Sequence, residues 1–377
     1  MNILKKNRLK IICGSVLLAG GLVLTAMNLL VGKGVKITEW NNFYNENNIA
    51  FFYEQIPNEK LATLDSSYKI SEQASECKTD YDKVMKAVEI VNKILKTDDV
   101  ESTNLNDGYD ILSRKTQSNR SSIKDMAVVT RDFINILGIK NRIGVFRKGN
   151  SKYHSDVEYY VIEYWSSEDN KWVMIDVSDG GHFEDDNTKL SAVEVINSDV
   201  KKISYLGETS QLDYKNKISK YFDSYSVSIE NSCEKKRSNC NVTYIKNDTA
   251  IEYKIKDTFA APTVFTKERK LFERSPFDTL VGSDEKAYLL VCGAVSNDDE
   301  KKDAANNKKK TNSNENSILV AAFKDDSVLK EFYLNVNGEG YEQVQENKEV
   351  KLKKGSNVLE LSLDGINTVG SVTIEKQ

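Results

Sequence analysis

The sequence predicts an α+β protein with three parts: an N-terminal transmembrane helix, a mixed helix and strand domain, and a C-terminal all-β, sandwich-like region. Three observations support this prediction. An uncharged run of 22 residues follows a short basic tail, two amphipathic helices and three strands occupy residues 61–204, and short alternating strands fill residues 205–377. With 377 residues, of which 39% are hydrophobic, the chain can bury more than one core.

The composition narrows the classes of function. Charged residues make up 29% of the chain, but the formal net charge is only −4. This balance gives no reason to expect a nucleic acid as a partner. The chain contains two histidines, His154 and His182, and histidine is the usual general base near neutral pH. The range of acid–base chemistry open to the protein is therefore narrow.

The uncharged run extends from Ile11 to Gly32 and follows a basic tail at residues 1–10. As a helix it would be ~33 Å long, enough to cross the hydrocarbon core of a bilayer. Because the basic residues come first, we expect the tail in the cytoplasm and the rest of the chain outside the cell. A cleaved signal peptide is the alternative, but the stretch Leu24–Ala26 is a poor cleavage site, so we favour an uncleaved, single-pass anchor at residues 11–32.

Residues 33–60 are polar and aromatic and are predicted to form a stalk, after which a globular pattern begins. Apolar stripes predict one helix from about Asp80 to Leu95 and another from about Ile123 to Leu137. A capping box at Ser122–Asp125 begins the second helix, and Gly138 ends it. Strands are predicted at 142–146, 157–165 and 171–177, and the last two form a hairpin. We therefore expect one α+β domain at residues 61–204.

Residues 205–377 consist of short alternating runs separated by turn signals, which is typical of a β-sandwich. Within this region, residues 297–316 have no aliphatic side chain larger than alanine and are predicted to form a disordered insertion. Cys233 and Cys240 flank a polar turn between two strand-like runs, so either a disulfide staples this hairpin or both thiols stay unpaired. The segment Lys351–Gly365 predicts two strands and a turn, with a faint likeness to carbohydrate-binding jelly rolls.

Three pieces of sequence occur in a recognisable order. They are LATLDSSYKI at 61–70 before the Asp80 helix, a helix ending LGIKNR at Leu137–Arg142, and a hairpin ending NKWVMID at Asn170–Asp176. Together they resemble the bacterial transglutaminase-like, or papain-like, family over residues 61 to about 197. The resemblance implies a fold in which a cysteine at a helix start, a histidine on the first hairpin strand and an aspartate on the second perform acyl transfer.

The resemblance also assigns positions to these three groups. The family's spacing places the nucleophile at Ile123, which cannot attack a carbonyl group, and no cysteine lies nearby in the sequence. The ungapped register then places the histidine position at Tyr159 and the aspartate at Asp176. We therefore expect a vestigial triad of Ile123, Tyr159 and Asp176. With a longer hairpin, the alternative triad is Ser122, His154 and Asp176, although Ser122 already has a structural role as the helix N-cap.

We expect a cell-surface protein whose inactive transglutaminase-like domain binds or scaffolds a protein or polysaccharide of the cell envelope, with no cofactor and no metal. One alternative is a residual transglutaminase- or protease-like enzyme that uses Ser122. Another is a wall-polysaccharide binder that works through the C-terminal β region. The acidic stretch 176–187, DVSDGGHFEDDN, contains His182 but does not have EF-hand spacing, so we expect a solvated loop there rather than a metal site.

Overall fold

The computed structural model describes residues 35–41, 49–54, 58–114, 118–148, 158–233, 238, 240–246, 253–254, 263–278, 286–295, 313–324 and 327–376. The predicted tail and membrane anchor at residues 1–32 lie outside these ranges, as do His154 and residues 297–312 of the predicted insertion. Among the helices that are described, none is both long enough and apolar enough to cross a membrane.

Most of the described helices lie between residues 59 and 136, and five of the described helices begin at a polar N-cap. Asn58, Thr79, Ser122, Ser191 and Ser210 each accept a hydrogen bond from the backbone N–H three residues further on, which satisfies a donor that the first helical turn leaves free. The helices are α1 Glu59–Tyr68, α2 Ile70–Gln73, α3 Asp80–Ile94, α4 Gly108–Arg114, α5 Ile123–Ile136, α6 Ala192–Asn197, α7 Gln211–Ile218 and α8 Lys270–Glu273. The two helices predicted from periodicity are α3 and α5, each one residue shorter than expected.

A six-stranded sheet lies at the centre of this part of the molecule. Its strands are β4 Asn141–Arg147, β5 Glu158–Ser166, β6 Lys171–Ile175, β10 Ser224–Ser228, β11 Asn241–Ile245 and β13 Thr263–Thr266. They are ordered β13-β11-β10-β4-β5-β6, and all neighbours are antiparallel except β11 and β13. The three strands predicted before residue 178 are therefore present as β4, β5 and β6.

The two faces of the sheet carry separate hydrophobic cores. Side chains alternate along a strand, so Ile162 and Val173 join one core and Val161 and Met174 join the other. Helices α1, α3 and α5 cover the first face. The second face is covered by α6, α7 and a small sheet of β7 His182–Asp185, β8 Thr188–Lys189 and β9 Ser204–Leu206, ordered β8-β7-β9. Two further strands of two residues each, β2 Lys96–Thr97 and β3 Arg120–Ser121, pair with each other, and β3 precedes α5 in the sequence.

The central sheet crosses the predicted domain boundary at residues 204 and 205. Strand β10 follows that boundary in sequence and yet pairs directly with β4. The two halves also share a buried network: Arg142 and Glu163 form an ion pair at 2.7 Å, and the hydroxyl of Tyr225 on β10 donates to Glu163 at 2.6 Å. The structure corrects the boundary because an alternating run predicts a half-buried strand but does not indicate which sheet that strand joins.

The C-terminal β region is a sandwich of two sheets, as its alternating pattern predicts. One sheet is ordered β12-β1-β21-β20-β17-β18, and the other contains β14, β15 and β16, with β19 paired to β15. Their bounds are β1 Val35–Asn41, β12 Tyr253–Lys254, β14 Ala287–Val295, β15 Ser313–Lys324, β16 Ser327–Val328, β17 Glu331–Val336, β18 Tyr341–Gln345, β19 Asn347–Lys351, β20 Gly355–Ser362 and β21 Thr368–Lys376. Residues 313–316, predicted as part of the insertion, begin β15.

The described part of the predicted stalk belongs to the fold. Strand β1 pairs with β12 and β21 and buries Ile37 and Trp40 in the sandwich core. Further along, Phe52 exchanges backbone hydrogen bonds with Ile229 and Asn231. The structure therefore corrects the prediction of a stalk over residues 33–60. Strand β1 was not predicted because a β-bulge after Ile37 breaks the two-residue alternation by which a strand is recognised in a sequence.

The structure also bears on two further predictions about the β region, the possible disulfide and the segment Lys351–Gly365. Cys233 and Cys240 are both buried and unbridged, and Cys233 Sγ instead donates to Asp132 of α5 at 3.2 Å. The two thiols lie in the hydrophobic cores on opposite sides of the central sheet, which is why they do not meet. Lys351 ends β19 and Gly355 begins β20, and these strands lie in different sheets, so the link between the two predicted strands is a connection between the two layers of the sandwich.

Candidate functional site

Helix α5 begins at Ile123, the position that the family resemblance assigns to the nucleophile. Ile123 is half-buried and packs against both hydrophobic cores. Ser122 caps the helix, since its Oγ accepts a hydrogen bond from the N–H of Asp125 at 3.1 Å. The Asp125 carboxylate accepts from Ser102 and Thr103. The predicted capping box is therefore a one-sided cap, and the start of the helix is tied to the preceding loop.

Tyr159 on β5 lies beside Asp176, the residue that follows β6. Its hydroxyl donates to Asp176 Oδ2, and the hydroxyl of Tyr214 on α7 donates to the same oxygen at 2.6 Å. All three side chains are buried. The structure therefore brings the first hairpin strand, the end of the second strand and α7 together around one carboxylate.

The other oxygen of this carboxylate is also occupied. Asp176 Oδ1 accepts hydrogen bonds from the backbone N–H and the Oγ of Ser178, both at 2.8 Å, and from the N–H of Asp179 at 3.0 Å. An ionised carboxylate offers about four acceptor positions. With five donors already directed at it, Asp176 has no acceptor position left to orient an imidazole.

The phenols around Asp176 are donors rather than bases. Burial raises the pKa of Tyr159, and the negative charge of Asp176 raises it further. The same two causes raise the pKa of Tyr214 and of Tyr205. These hydroxyl groups therefore remain protonated at neutral pH. None of them can accept the proton that a nucleophile loses when it attacks a carbonyl carbon.

A second buried carboxylate extends the cluster. Tyr205 of β9 donates to Asp179 Oδ2 at 2.6 Å, and the backbone N–H of Thr209 donates to Asp179 Oδ1 at 3.0 Å. The rings of Tyr205 and Tyr214 are stacked, with centroids 3.5 Å apart and planes 4° apart. Nothing in the sequence predicted that Asp179, Tyr205 and Tyr214 belong to one cluster. Their spacing follows neither helical nor strand periodicity, so no pattern could have linked them.

The cluster is packed too closely to admit a larger side chain at its edge. A Cβ atom on Gly181 would lie 2.1 Å from Tyr205 Oη and 2.7 Å from the carbonyl oxygen of Leu206. Glycine is therefore required at position 181, directly before β7. On the outer side of the cluster, Lys217 Nζ lies 3.3 Å from Tyr159 Oη and 5.0 Å from the centroid of its ring.

The alternative triad of Ser122, His154 and Asp176 is not assembled by the described residues. His154 lies outside them. Ser122 Oγ is engaged as the helix cap, and the Asp176 carboxylate is saturated by its five donors. The neighbouring Ser121 is fully buried, and no hydrogen-bond partner for its hydroxyl is found among the described residues.

The acidic stretch 176–187 is largely folded, which corrects the prediction of a solvated loop. Asp176, Asp179 and His182 are buried, and only the turn between β7 and β8 is exposed. The ring of His182 is held between two partners: Nε2 lies 2.9 Å from Glu184 Oε1, and Nδ1 lies 3.3 Å from Tyr81 Oη. Over the residues that the structure describes, no cluster of three or more potential metal ligands is found.

Comparisons with known proteins give weak results. No protein-family model and no curated protein sequence matches the chain. Among solved structures, a candidate cysteine protease from Cytophaga hutchinsonii is similar over 33% of this chain and 40% of its own, with 12% identity and a TM-score of 0.26. A candidate protease from Parabacteroides distasonis is similar over 40% of this chain and 29% of its own, with 15% identity and a TM-score of 0.23. The chain thus spans less than half of either structure, and TM-scores this low carry no argument about function.

Proposed function

We propose that this chain is a membrane-anchored cell-surface protein whose transglutaminase-like domain is catalytically inactive and serves to bind or scaffold another component of the cell envelope. The observation that carries the proposal is the occupied carboxylate of Asp176. In a working triad this group would orient an imidazole, whereas here it accepts hydrogen bonds from Tyr159 and Tyr214.

The start of α5 supports the same conclusion. In an active relative, the nucleophile would stand where Ile123 begins the helix, because free backbone N–H groups favour a thiolate there. Ile123 has no nucleophilic atom and instead contributes to both hydrophobic cores. The thiol of Cys233 is near α5 but is buried and donates to Asp132, and burial raises its pKa, which opposes thiolate formation.

Anchoring to the membrane is the second part of the proposal. It rests on the uncharged run at residues 11–32 and on the basic residues that precede it. An envelope partner follows from that placement, because the bulk of the chain would then face outward. A binding role needs no covalent step and is compatible with the loss of the nucleophile.

The inactive state predicts the behaviour of designed variants. The natural protein is expected to show no labelling by a fluorophosphonate and no thiol-dependent incorporation of amines into envelope extract. Ile123→Cys alone is expected to give an ordinary, slowly alkylated thiol, because the phenol of Tyr159 cannot act as a base. Ile123→Cys with Tyr159→His is expected to raise iodoacetamide labelling at position 123 by roughly tenfold at pH 7, since an imidazolium nearby lowers the thiol pKa by about one unit.

The matched control for the double variant is Ile123→Cys with Tyr164→His. Tyr164 is another buried tyrosine of β5 and lies five residues, or roughly 17 Å, further along the strand than Tyr159. A histidine there should leave the labelling rate of the single variant unchanged. Equal labelling of both double variants would contradict the assignment of Tyr159 to the histidine position. Fluorophosphonate labelling of the natural protein that disappears in Ser122→Ala would instead establish a residual serine enzyme.

A further inference from the structure

Strand β1 begins very close to the proposed membrane anchor. The uncharged run ends at Gly32 and β1 starts at Val35, so only Lys33 and Gly34 lie between them. Even a fully extended chain spans only ~10 Å over these three residue steps. If residues 11–32 cross the membrane, the end of the sandwich at which β1 begins must lie against the membrane surface.

The strand register identifies what else lies at that end. Val35 pairs with Lys376 at the end of β21, and Lys376 pairs with Gly355 at the start of β20. The connection at residues 351–355, Lys-Leu-Lys-Lys-Gly, is therefore next to the start of β1. Lys376 Nζ also donates to the carbonyl oxygen of Leu352 at 3.0 Å, which joins this connection to the strand end.

The connection is held rigidly and presents its lysines outward. Asn357 is fully buried, accepts from the N–H of Lys353 at 2.8 Å and donates to the carbonyl oxygens of Lys353 and Gly355. Leu352 is buried beneath the connection, whereas Lys351, Lys353 and Lys354 are exposed. The side chains can therefore reach outward from a backbone that does not need to rearrange.

Lysines outnumber acidic groups at this end. Among the residues there whose side chains the structure describes, the lysines are Lys36, Lys351, Lys353, Lys354 and Lys376, and the acidic residues are Glu339, Glu349 and Glu375. Glu339 pairs with Lys353 at 2.8 Å, and Glu375 stands opposite Lys36 in the strand register. Both side chains of the Lys353–Glu339 pair are about two-thirds exposed. An ion pair this exposed contributes little stability, so Lys353 can exchange Glu339 for another anionic partner. Lys351 and Lys354 add two further exposed cations.

We propose that the lysines of the 351–355 connection bind the anionic phospholipid headgroups of the membrane into which the chain is anchored. The inference rests on the proposed anchor and adds an orientation to it: the sandwich stands on the bilayer through this end and holds the transglutaminase-like domain in a defined position. Lysines near an anionic bilayer surface are attracted to it, and the attraction falls off within a Debye length.

Lys330 is a matched control within the same sandwich. It is exposed and directly precedes β17. The third residue of β17, Tyr333, pairs with Ser362 at the end of β20, so Lys330 lies at the opposite end of the sandwich from Gly355. The eight residues of β20 separate the two ends by roughly 23 Å. This distance exceeds the Debye length of ~8 Å at physiological ionic strength, so Lys330 should not sense the headgroups.

The test uses the full chain in nanodiscs of phosphatidylcholine alone or of phosphatidylcholine with phosphatidylglycerol. Lysine acetylation by a water-soluble ester is followed site by site with mass spectrometry. The expected result is that Lys353 and Lys354 react at least about threefold more slowly in the anionic discs, that salt removes this protection, and that Lys330 reacts equally in both.

Equal acetylation of Lys353 and Lys354 in both kinds of disc would overturn the proposed lipid contact while leaving the anchor intact. Protection of Lys330 to the same degree would also overturn it, because the effect would then not belong to one end of the sandwich. A chain that elutes without the discs would instead show that residues 11–32 do not anchor it, which would remove the basis of this inference together with the anchor.

Discussion

At the scale of single residues, Asp176 has a structural role at the end of β6. Its carboxylate is fully buried and accepts five hydrogen bonds, from Tyr159, Tyr214, Ser178 and Asp179. Hydrogen bonds to an ionised group are stronger than those between neutral groups, and together they offset the cost of burying the charge. The Asp176 side chain thereby joins the end of β6 to α7.

The only histidine among the described residues predicts a pH dependence of stability. Burial lowers the pKa of His182 below its ordinary value of 6.5, and Glu184 opposes this effect only in part. Below pH 6.5 the unfolded chain binds a proton that the folded chain does not bind, so stability falls as the pH drops until the lowered pKa is reached. The ring contacts Tyr81 of α3 and Glu184 of β7, and the positive charge of Lys189 on β8 also lowers the pKa of His182.

The measurement is the melting temperature of the natural protein and of His182→Gln between pH ~7.5 and ~5.5. The natural protein should lose more of its melting temperature than the variant over this interval, because the variant has no imidazole to protonate. If the two proteins lost the same amount, the acid sensitivity would have to come from other groups.

At the scale of single elements, α5 begins at a structural N-cap. Ser122 closes the first turn through the N–H of Asp125, and the Asp125 side chain holds the preceding loop through Ser102 and Thr103. The helix then buries Met126, Phe133 and Ile134 against the central sheet. Its start is therefore determined by hydrogen bonding and packing and does not depend on any catalytic group.

Ser122→Ala is expected to lower the free energy of unfolding by about 1 kcal/mol, since it removes the N-cap acceptor. Ser121→Ala is the matched control: this neighbouring hydroxyl is buried without a hydrogen-bond partner among the described residues, so its removal should cost less than about 0.5 kcal/mol or stabilise the fold. Denaturant unfolding of both variants measures the difference. Equal losses would contradict the assignment of Ser122 as the cap.

At the scale of the whole molecule, the central sheet joins segments that the sequence pattern separates. Arg142 of β4 pairs with Glu163 of β5 and donates to the carbonyl oxygen of Phe272 at 2.6 Å. Glu163 also accepts from Tyr225 and from the backbone N–H of Ala192. This buried ion pair and its hydrogen bonds thus link strands from both sides of residue 205. Removing the part of the chain on one side of that position would leave a buried charge without some of its partners.

A fragment limited to residues 61–204 is therefore expected not to fold cooperatively, because it lacks β10, β11 and β13 and exposes one edge of β4. A fragment of residues 49–278 retains the whole sheet and should show a single cooperative transition. Thermal unfolding followed by near-ultraviolet circular dichroism distinguishes the two. Cooperative unfolding of the shorter fragment would show that the boundary at residue 204 is a true domain boundary.

The sequence by itself determined the local elements of this protein. Helices α3 and α5, strands β4 to β6 and the alternating strands of the sandwich follow from short-range periodicity, caps and turns, which act over a few residues. The predicted hairpin contains Tyr159 on its first strand and reaches Asp176 at the end of its second. Strand β1 was missed because its bulge interrupts the alternation that would have indicated it.

Only the tertiary structure decided which of these pieces meet. Tyr214 reaches Asp176 across 38 positions of sequence, and Tyr225 reaches Glu163 across 62. Contacts of this kind form when two buried polar groups satisfy each other inside a packed core, and they leave no periodic trace in the chain. The sequence therefore determined that Asp176 is a carboxylate on a hairpin, and the packing of α7 and β5 around it decided that its Oδ2 atom accepts hydrogen bonds from two phenols.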